Sequence, residues 1–423
     1  MLDLNSVFTV KYFLNSFKFY KNLSKCFYAT FLFQNYFWLF TIGTVVLILT
    51  QKGYIISILY PLVIYYLAIF RKSKKIEYDA IDILWWIYLL INVQTWLFND
   101  YAYKPQLIGR FFMAQGAYMV AFWIGRKSEY DNLKIIMEKS IVPLTITCLL
   151  GIYFYLFQPA WYMNMLYRQF LDAGQQAFQE FARLRSIFAS PYVLAYFCSF
   201  TMSWGWFELF GQKQISYKVY MFIGLLFCTS MLAMMRAPWG CAMLSLCIAI
   251  LYTAIYGNNK TSLKRIIPFA LILVLAVSYA FAKMNTEDLA YLMDKIGTIS
   301  SKQGDLLSER INLYDIKPTL LGDGAGRHAF YADEYPPNYQ LPDGEYQKMQ
   351  MEIGYVGMSC VCLMFGLGIL KAIRHFKYLY FELCILLTCI ITMTGASSLM
   401  VVNEHPFIFW LALGQVSKFK NKI

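Results

Sequence analysis

The sequence predicts an all-α polytopic integral membrane protein, with about twelve transmembrane helices and two long extracytoplasmic loops. Three observations lead there. The 423 residues are 59% hydrophobic and 15% charged, against about 25% charge in an average soluble chain. Mean hydropathy is +0.47. The apolar residues form long blocks, as in GYIISILYPLVIYYLAIF (53–70), IIPFALILVLAVSYAFA (266–282) and GYVGMSCVCLMFGLGIL (354–370). Blocks of roughly 17–25 apolar residues cross a ~30 Å hydrocarbon core as helices. Helix is the form that closes their backbone hydrogen bonds internally.

Residues 1–30 read as a cytoplasmic N-terminal segment; they lack an apolar stretch followed by a small-residue cleavage site, so no cleaved signal peptide is expected. Spans one to five follow within 31–157, near 31–50, 53–70, 81–98, 107–125 and 141–157. After a first long loop, 158–186, four more lie within 187–282, near 187–210, 217–234, 237–256 and 266–282. The second long loop is 284–349. Three last spans lie within 350–416, near 350–370, 378–394 and 400–416, before a cytoplasmic tail at 417–423. No period of repeat-array length is visible.

Charge tests this order independently, because Lys and Arg collect on the cytoplasmic side. With both termini inside, the inner segments hold Lys11 to Lys25, Arg71 to Lys75, Arg126 to Lys139, Lys213 and Lys218, Lys260 to Arg265, Lys371 to Lys377 and Lys418 to Lys422. The outer short loops hold few. The net charge of +12 is thus topology signal, and no nucleic-acid partner is needed to explain it. Of the ten cysteines, none falls in either long loop, so no disulfide framework is implied.

Both long loops exceed the length of ordinary connectors, so they are expected to carry function or structure of their own. The first has helical spacing of Met165, Phe170, Phe178 and Phe181, which suits a helix lying on the outer membrane surface. The type of basic residue also changes across the membrane. Inside, four Arg stand among nineteen Lys; outside or at the rim, Arg110, Arg168, Arg183, Arg185, Arg236, Arg310 and Arg327 make half the basic set. Lys serves as a hydrated point charge, whereas Arg offers a fixed fork for phosphate or carboxylate. Single arginines of this kind often snorkel or pair with loop acids; the cluster as a whole points to an outward-facing anionic ligand.

Several polar constellations lie at that outer face. GDGAG (322–326) has no following Lys-Ser/Thr and no preceding strand, so it is neither a Walker loop nor a dinucleotide fingerprint. It reads as a turn whose glycines act as hinges, in a loop that closes over the arginines. Arg327 and His328 follow it directly; His328 is a candidate acid, base or hydrogen-bonder, with a solvated loop histidine as the plain alternative. Asp343 and Glu345 approach the tenth span from outside, and Glu352 falls just inside it. They suit acid–base work beside an anion site, or helix capping and dipole complementarity. Asn403, Glu404 and His405 stand at the outer end of the last span, as a functional group or a buried structural network.

The order of these features resembles the O-antigen polymerase and O-antigen ligase family of membrane glycosyltransferases. The resembling residues are Arg185, Phe188 and Pro191 at the start of a middle span; MRAPW with Arg236 in a short hairpin; and Glu309, Arg310 and Tyr314 in the long loop. PTLLGDGAG follows, and Asp343, Gly344, Tyr346, Glu352, Gly354 and Gly357 close the loop. Asp343 and Gly344 stand where the ligases tend to carry His and Asn, which favours a polymerase.

The resemblance implies a polyprenyl-diphosphate-linked oligosaccharide donor, an acceptor on the same kind of carrier, and a reaction without metal or other cofactor. Arg185, Arg236, Arg310, Arg327 and Arg110 would bind the diphosphate; Asp343, His328 or Glu345 would orient or deprotonate the attacking hydroxyl. Tyr314, Tyr346, Glu352, Glu404 and His405 would support them. A flippase and a chain-length regulator would be partners, in a bacterial cytoplasmic membrane. The alternatives are a ligase and a transporter. A transporter would show charges near the midplane and interrupted helices in matching halves.

Overall fold

The computed structural model describes residues 31–32, 34–50, 53–70, 77–98, 108–109, 111–128, 132–164, 183–188, 191–211, 217–233, 235–256, 278, 318–326, 345–393 and 405–419. Among them all regular structure is helical. The helices are α1 (Tyr36–Thr50), α2 (Gly53–Phe70), α3 (Ala80–Phe98), α4 (Ala117–Lys127, entered through a π-helical turn, Phe112–Gly116), α5 (Asn132–Phe157) and α6 (Pro191–Gly211). Then come α7 (Tyr217–Leu232), α8 (Arg236–Tyr256), α9 (Glu345–Arg374), α10 (Phe376–Thr392) and α11 (His405–Lys418). Eleven of the twelve expected spans are thus helical, and 266–282 lies outside the described residues apart from 278.

Among the described residues, four stretches are long and apolar enough to cross a membrane: Ala80–Leu97, Leu133–Phe157, Pro238–Tyr256 and Glu345–Arg374. Leu90, Leu149, Leu156, Leu251 and Leu363 on these helices point outward and stay exposed, as residues facing lipid tails would. Helix α5 begins nine residues before the expected 141. Its first turns alternate buried Leu133, Ile136, Met137 and Ser140 with exposed Glu138 and Lys139. The charged residues Lys134, Glu138 and Lys139 interrupt the apolar run there, so the helix starts before the continuous apolar block does.

Helices α6 and α11 are buried almost all round and form the centre, as expected of helices with apolar residues on every face. Helix α6 packs on α5, α7, α8 and α10; α11 packs on α4, α9 and α10. The α4–α11 crossing is backbone on backbone. A Cβ at Gly125 would stand 2.2 Å from the Leu411 carbonyl oxygen, and one at Gly414 would stand 2.0 Å from that of Phe122. Small residues at a crossing let membrane helices approach this closely without any hydrophobic driving force between them.

One end of the bundle is a basic, hydrogen-bonded cluster. Arg126 at the end of α4 pairs with Asp82 of α3 at 2.5 Å, both buried, and Ser417 Oγ donates to the other Asp82 oxygen at 2.6 Å. Lys371 at the end of α9 pairs with Asp79 at 2.5 Å and donates to the Ser417 carbonyl. Lys418 donates to the Ser128 carbonyl, and Lys127 to that of Ala68. The ends of α2, α4, α9 and α11 and the start of α3 therefore meet here. The opposite end carries residues 183–188 and 318–326 and the start of α9.

Candidate functional site at the loop end

Residues 183–188 run across the ends of α5 and α7 before α6 begins. The Leu184 amide donates to the Leu232 carbonyl at 3.0 Å. The Ser186 hydroxyl donates to the Thr147 carbonyl at 2.6 Å, and the Tyr162 hydroxyl donates to that of Ser186 at 2.9 Å. Gly151 makes room, since a Cβ there would stand 2.8 Å from Leu184 Cδ2 and 2.9 Å from Ser186 Cβ. Ser186 has φ 58°, a left-handed conformation that a non-glycine residue holds only when its surroundings enforce it.

This path buries Arg185 to 1% exposure, an unusual place for a permanently charged side chain. Its neighbour Arg183 directs Nη1 at the Met235 sulfur, 3.6 Å away. Met235 immediately precedes Arg236, the first residue of α8. The two arginine-bearing stretches, 52 residues apart in sequence at this contact, thus share one corner of the bundle. Arg183, Arg185, Gln158, Tyr162 and Phe154 line a cavity of about 20 Å³ there, room for a water-sized guest. Burial pushes the Tyr162 phenol up to about 12, with the Arg185 guanidinium acting in the opposite direction. Tyr162 therefore remains a neutral donor to Ser186 at ordinary pH.

The second feature is a break in α9. Gly354 lies at φ 67°, ψ −173°, so two helical pieces meet there. Residues 318–326, which include the GDGAG passage, fill the gap. The Asp323 and Gly324 amides donate to the Met351 and Glu352 carbonyls at 2.9 and 3.1 Å. In return the Tyr355 and Val356 amides donate to the Thr319 and Leu320 carbonyls at 3.3 and 3.2 Å. Glu352 Oε2 accepts the Gly326 amide at 2.9 Å. From α3, Thr95 Oγ1 accepts the Ala325 amide at 3.0 Å, and the Trp96 indole donates to the Ala325 carbonyl at 2.8 Å.

The hinge expectation is therefore corrected: Gly322, Gly324, Ala325 and Gly326 are buried and pinned between α3 and α9. The glycines serve close approach and positive φ, with Gly322 at 81°, Gly324 at 125° and Gly326 at 82°. Irregular backbone in a membrane bundle persists only where protein satisfies it, and here the bundle does so.

Of the expected site residues, Glu345 begins α9 fully buried, its amide donating to the Met393 carbonyl at 3.0 Å. Tyr346 donates its hydroxyl to the Ile390 carbonyl at 2.8 Å. Glu352 is fully buried, and the Tyr88 ring of α3 lies within electrostatic reach of both glutamates. Arg236 and His405 are placed as the first residues of α8 and α11. Asp343, His328, Arg310, Arg327, Arg110, Tyr314 and Glu404 lie outside the described residues. Thr95, Trp96 and Tyr88 escaped sequence reasoning, because a lone Thr or Trp in an apolar run carries no signal. Arg183 was legible only as one of the seven outer or rim arginines.

No family model, no curated protein and no solved structure matches this chain. The arrangement itself offers fixed cationic groups at one corner and buried carboxylates on α9, all at the end opposite the basic cluster.

Proposed function

We propose that this chain is a twelve-span glycosyltransferase of the bacterial cytoplasmic membrane, with both termini inside and its site on the outer face. It joins polyprenyl-diphosphate-linked oligosaccharide repeat units into a surface polysaccharide such as O-antigen or capsule. The observation that carries this reading is the burial of Arg185 beside Arg183 and the stretch that opens α8 with Arg236. A guanidinium held out of water binds a diphosphate more strongly than an exposed one, and stabilises the charge that develops as the diphosphate departs. The acceptor hydroxyl attacks the anomeric carbon, its proton passing to a carboxylate, with Glu345 and Asp343 as the candidates, or to His328. The bond from the anomeric carbon to the diphosphate oxygen breaks, and the polyprenyl diphosphate leaves with both electrons.

The cavity at Arg185 is water-sized, so diphosphate binding requires the adjacent chain to adjust. Deletion in the native host, followed by surface-polymer analysis, tests the reading. A polymerase predicts single repeat units at the surface; a ligase predicts long chains stranded on the carrier lipid. The break in α9 favours transport as a second reading, since transporters build substrate sites from interrupted helices. Against it, the gap is filled by the chain's own backbone; deletion of a transporter would leave no surface polymer, in place of single repeat units.

A further inference from the structure

In sequence, α9 is one apolar run; in space it is two helices clasped around residues 318–326. We propose that this inserted segment and Glu352 form a fixed positioning device that holds the outer half of α9, and with it Glu345, against α3. The functional part of the proposal rests on the polymerase reading above; the placement does not.

Three sets of contacts define the device. The first is the four-bond backbone exchange across the break. Withdrawing the segment would take their partners from two amides (Tyr355, Val356) and two carbonyls (Met351, Glu352) of α9 in apolar surroundings, at several kcal/mol for each group left unpaired. The second is the anchor on α3, where Thr95 and Trp96 take both polar groups of Ala325. The third is Glu352, whose carboxylate reaches back over the break to the Gly326 amide. At its other end the half-helix is tied to α10 through Glu345 to Met393 and Tyr346 to Ile390.

A nine-residue half-helix (345–353) held at both ends cannot tilt, so a carboxylate at its first turn keeps one position. Glu352 acts through Gly326 and is a positioning residue, not a catalytic one.

The test uses the full-length protein in native membranes. In Thr95→Cys/Ala325→Cys protein whose ten native cysteines are replaced by serine or alanine, a mild copper–phenanthroline oxidant should remove two electrons and two protons and form a cross-link, absent from each variant that carries one of the two introduced cysteines. Cross-linking should leave the polymer output equal to that of the same double variant kept reduced. Failure to cross-link overturns the placement whatever the protein does. Loss of output that a reductant restores means the segment must move, and overturns the fixed device.

In the second arm, Glu352→Ala should lower kcat about 100-fold at unchanged KM for the lipid-linked donor. Glu352→Gln keeps an acceptor oxygen and should stay within about tenfold of wild type. Thr95→Val, which removes the other acceptor at little change in volume, should fall between them and serves if Glu352→Ala does not fold. Full kcat in folded Glu352→Ala or Thr95→Val protein overturns the positioning role. If the wild type makes no polymer, the polymerase reading fails while the cross-link result stands.

Discussion

Gly322 and Gly354 meet backbone to backbone: a Cβ on Gly354 would stand 2.3 Å from the Gly322 amide nitrogen, and one on Gly322 2.3 Å from the Glu352 carbonyl oxygen. Both have positive φ, 81° and 67°. An alanine at either position meets two penalties, the left-handed backbone cost of about 1–2 kcal/mol and displacement of backbone atoms that cannot rotate away. Gly322→Ala and Gly354→Ala should each lower thermal stability in detergent by at least about 3 kcal/mol. Gly366, where an added Cβ meets nothing within 4 Å, is the control and should tolerate alanine.

A second prediction concerns the α4–α11 crossing. Gly125→Ala and Gly414→Ala force apart two backbones now in contact through Leu411 and Phe122. Each should cost about 1–3 kcal/mol. Because both open the same seam, the double variant should lose less than the sum of the singles, as expected of coupled neighbours. Thermal unfolding of all three variants measures this.

The buried pair of Arg126 and Asp82 gives a third. Asp82→Ala leaves an uncompensated guanidinium in the bundle and should destabilise by about 3–5 kcal/mol. Removing Arg126 as well should recover part of that loss, since the stranded charge goes with it. A double-mutant cycle followed by thermal unfolding would show a coupling of opposite sign to the single losses; strict additivity would mean the two side chains do not depend on each other.

The helices were legible because a membrane span must be a long apolar run, and a run announces itself without reference to any partner. The break in α9 was not. Gly354 sits in GYVG like any small residue in a span, and its reason lies 32 residues earlier in Gly322. Likewise Ala325 is held by Thr95 and Trp96, about 230 residues away, and no local pattern encodes such a pairing. The composition of GDGAG signalled irregular backbone correctly. Polarity and glycine content then argued for an exposed hinge, whereas the segment's polar groups are the ones that satisfy the broken helix. Asp79 and Asp82 look like ordinary acids at a helix start; their role as partners of Lys371 and Arg126 needed the ends of three distant helices. Arg185 was visible as an arginine at the mouth of a span, and its burial followed only from Gly151 and the turn at Ser186.

The guanidinium at Arg185 supplies the fourth prediction, which distinguishes fork from charge. Lysine there keeps the charge but loses the bidentate geometry. Arg185→Lys should retain a small fraction of polymer output and Arg185→Ala almost none, with differences of about 10²–10³-fold for loss of an oxyanion-type donor. Equal output from Lys and Arg proteins would mean that only net charge matters at this corner. Gel analysis of surface polysaccharide in the complemented deletion strain reads all three.

The most direct measurement is elongation by the purified protein. Wild-type and Arg185→Ala chains are reconstituted in separate vesicles with a polyprenyl-diphosphate-linked repeat unit and nothing else. The wild type should yield a ladder of multiples on the carrier lipid, with free polyprenyl diphosphate released in step, and Arg185→Ala only the single repeat unit. An identical ladder from folded Arg185→Ala protein, or no ladder from a folded wild type, would contradict the proposed function.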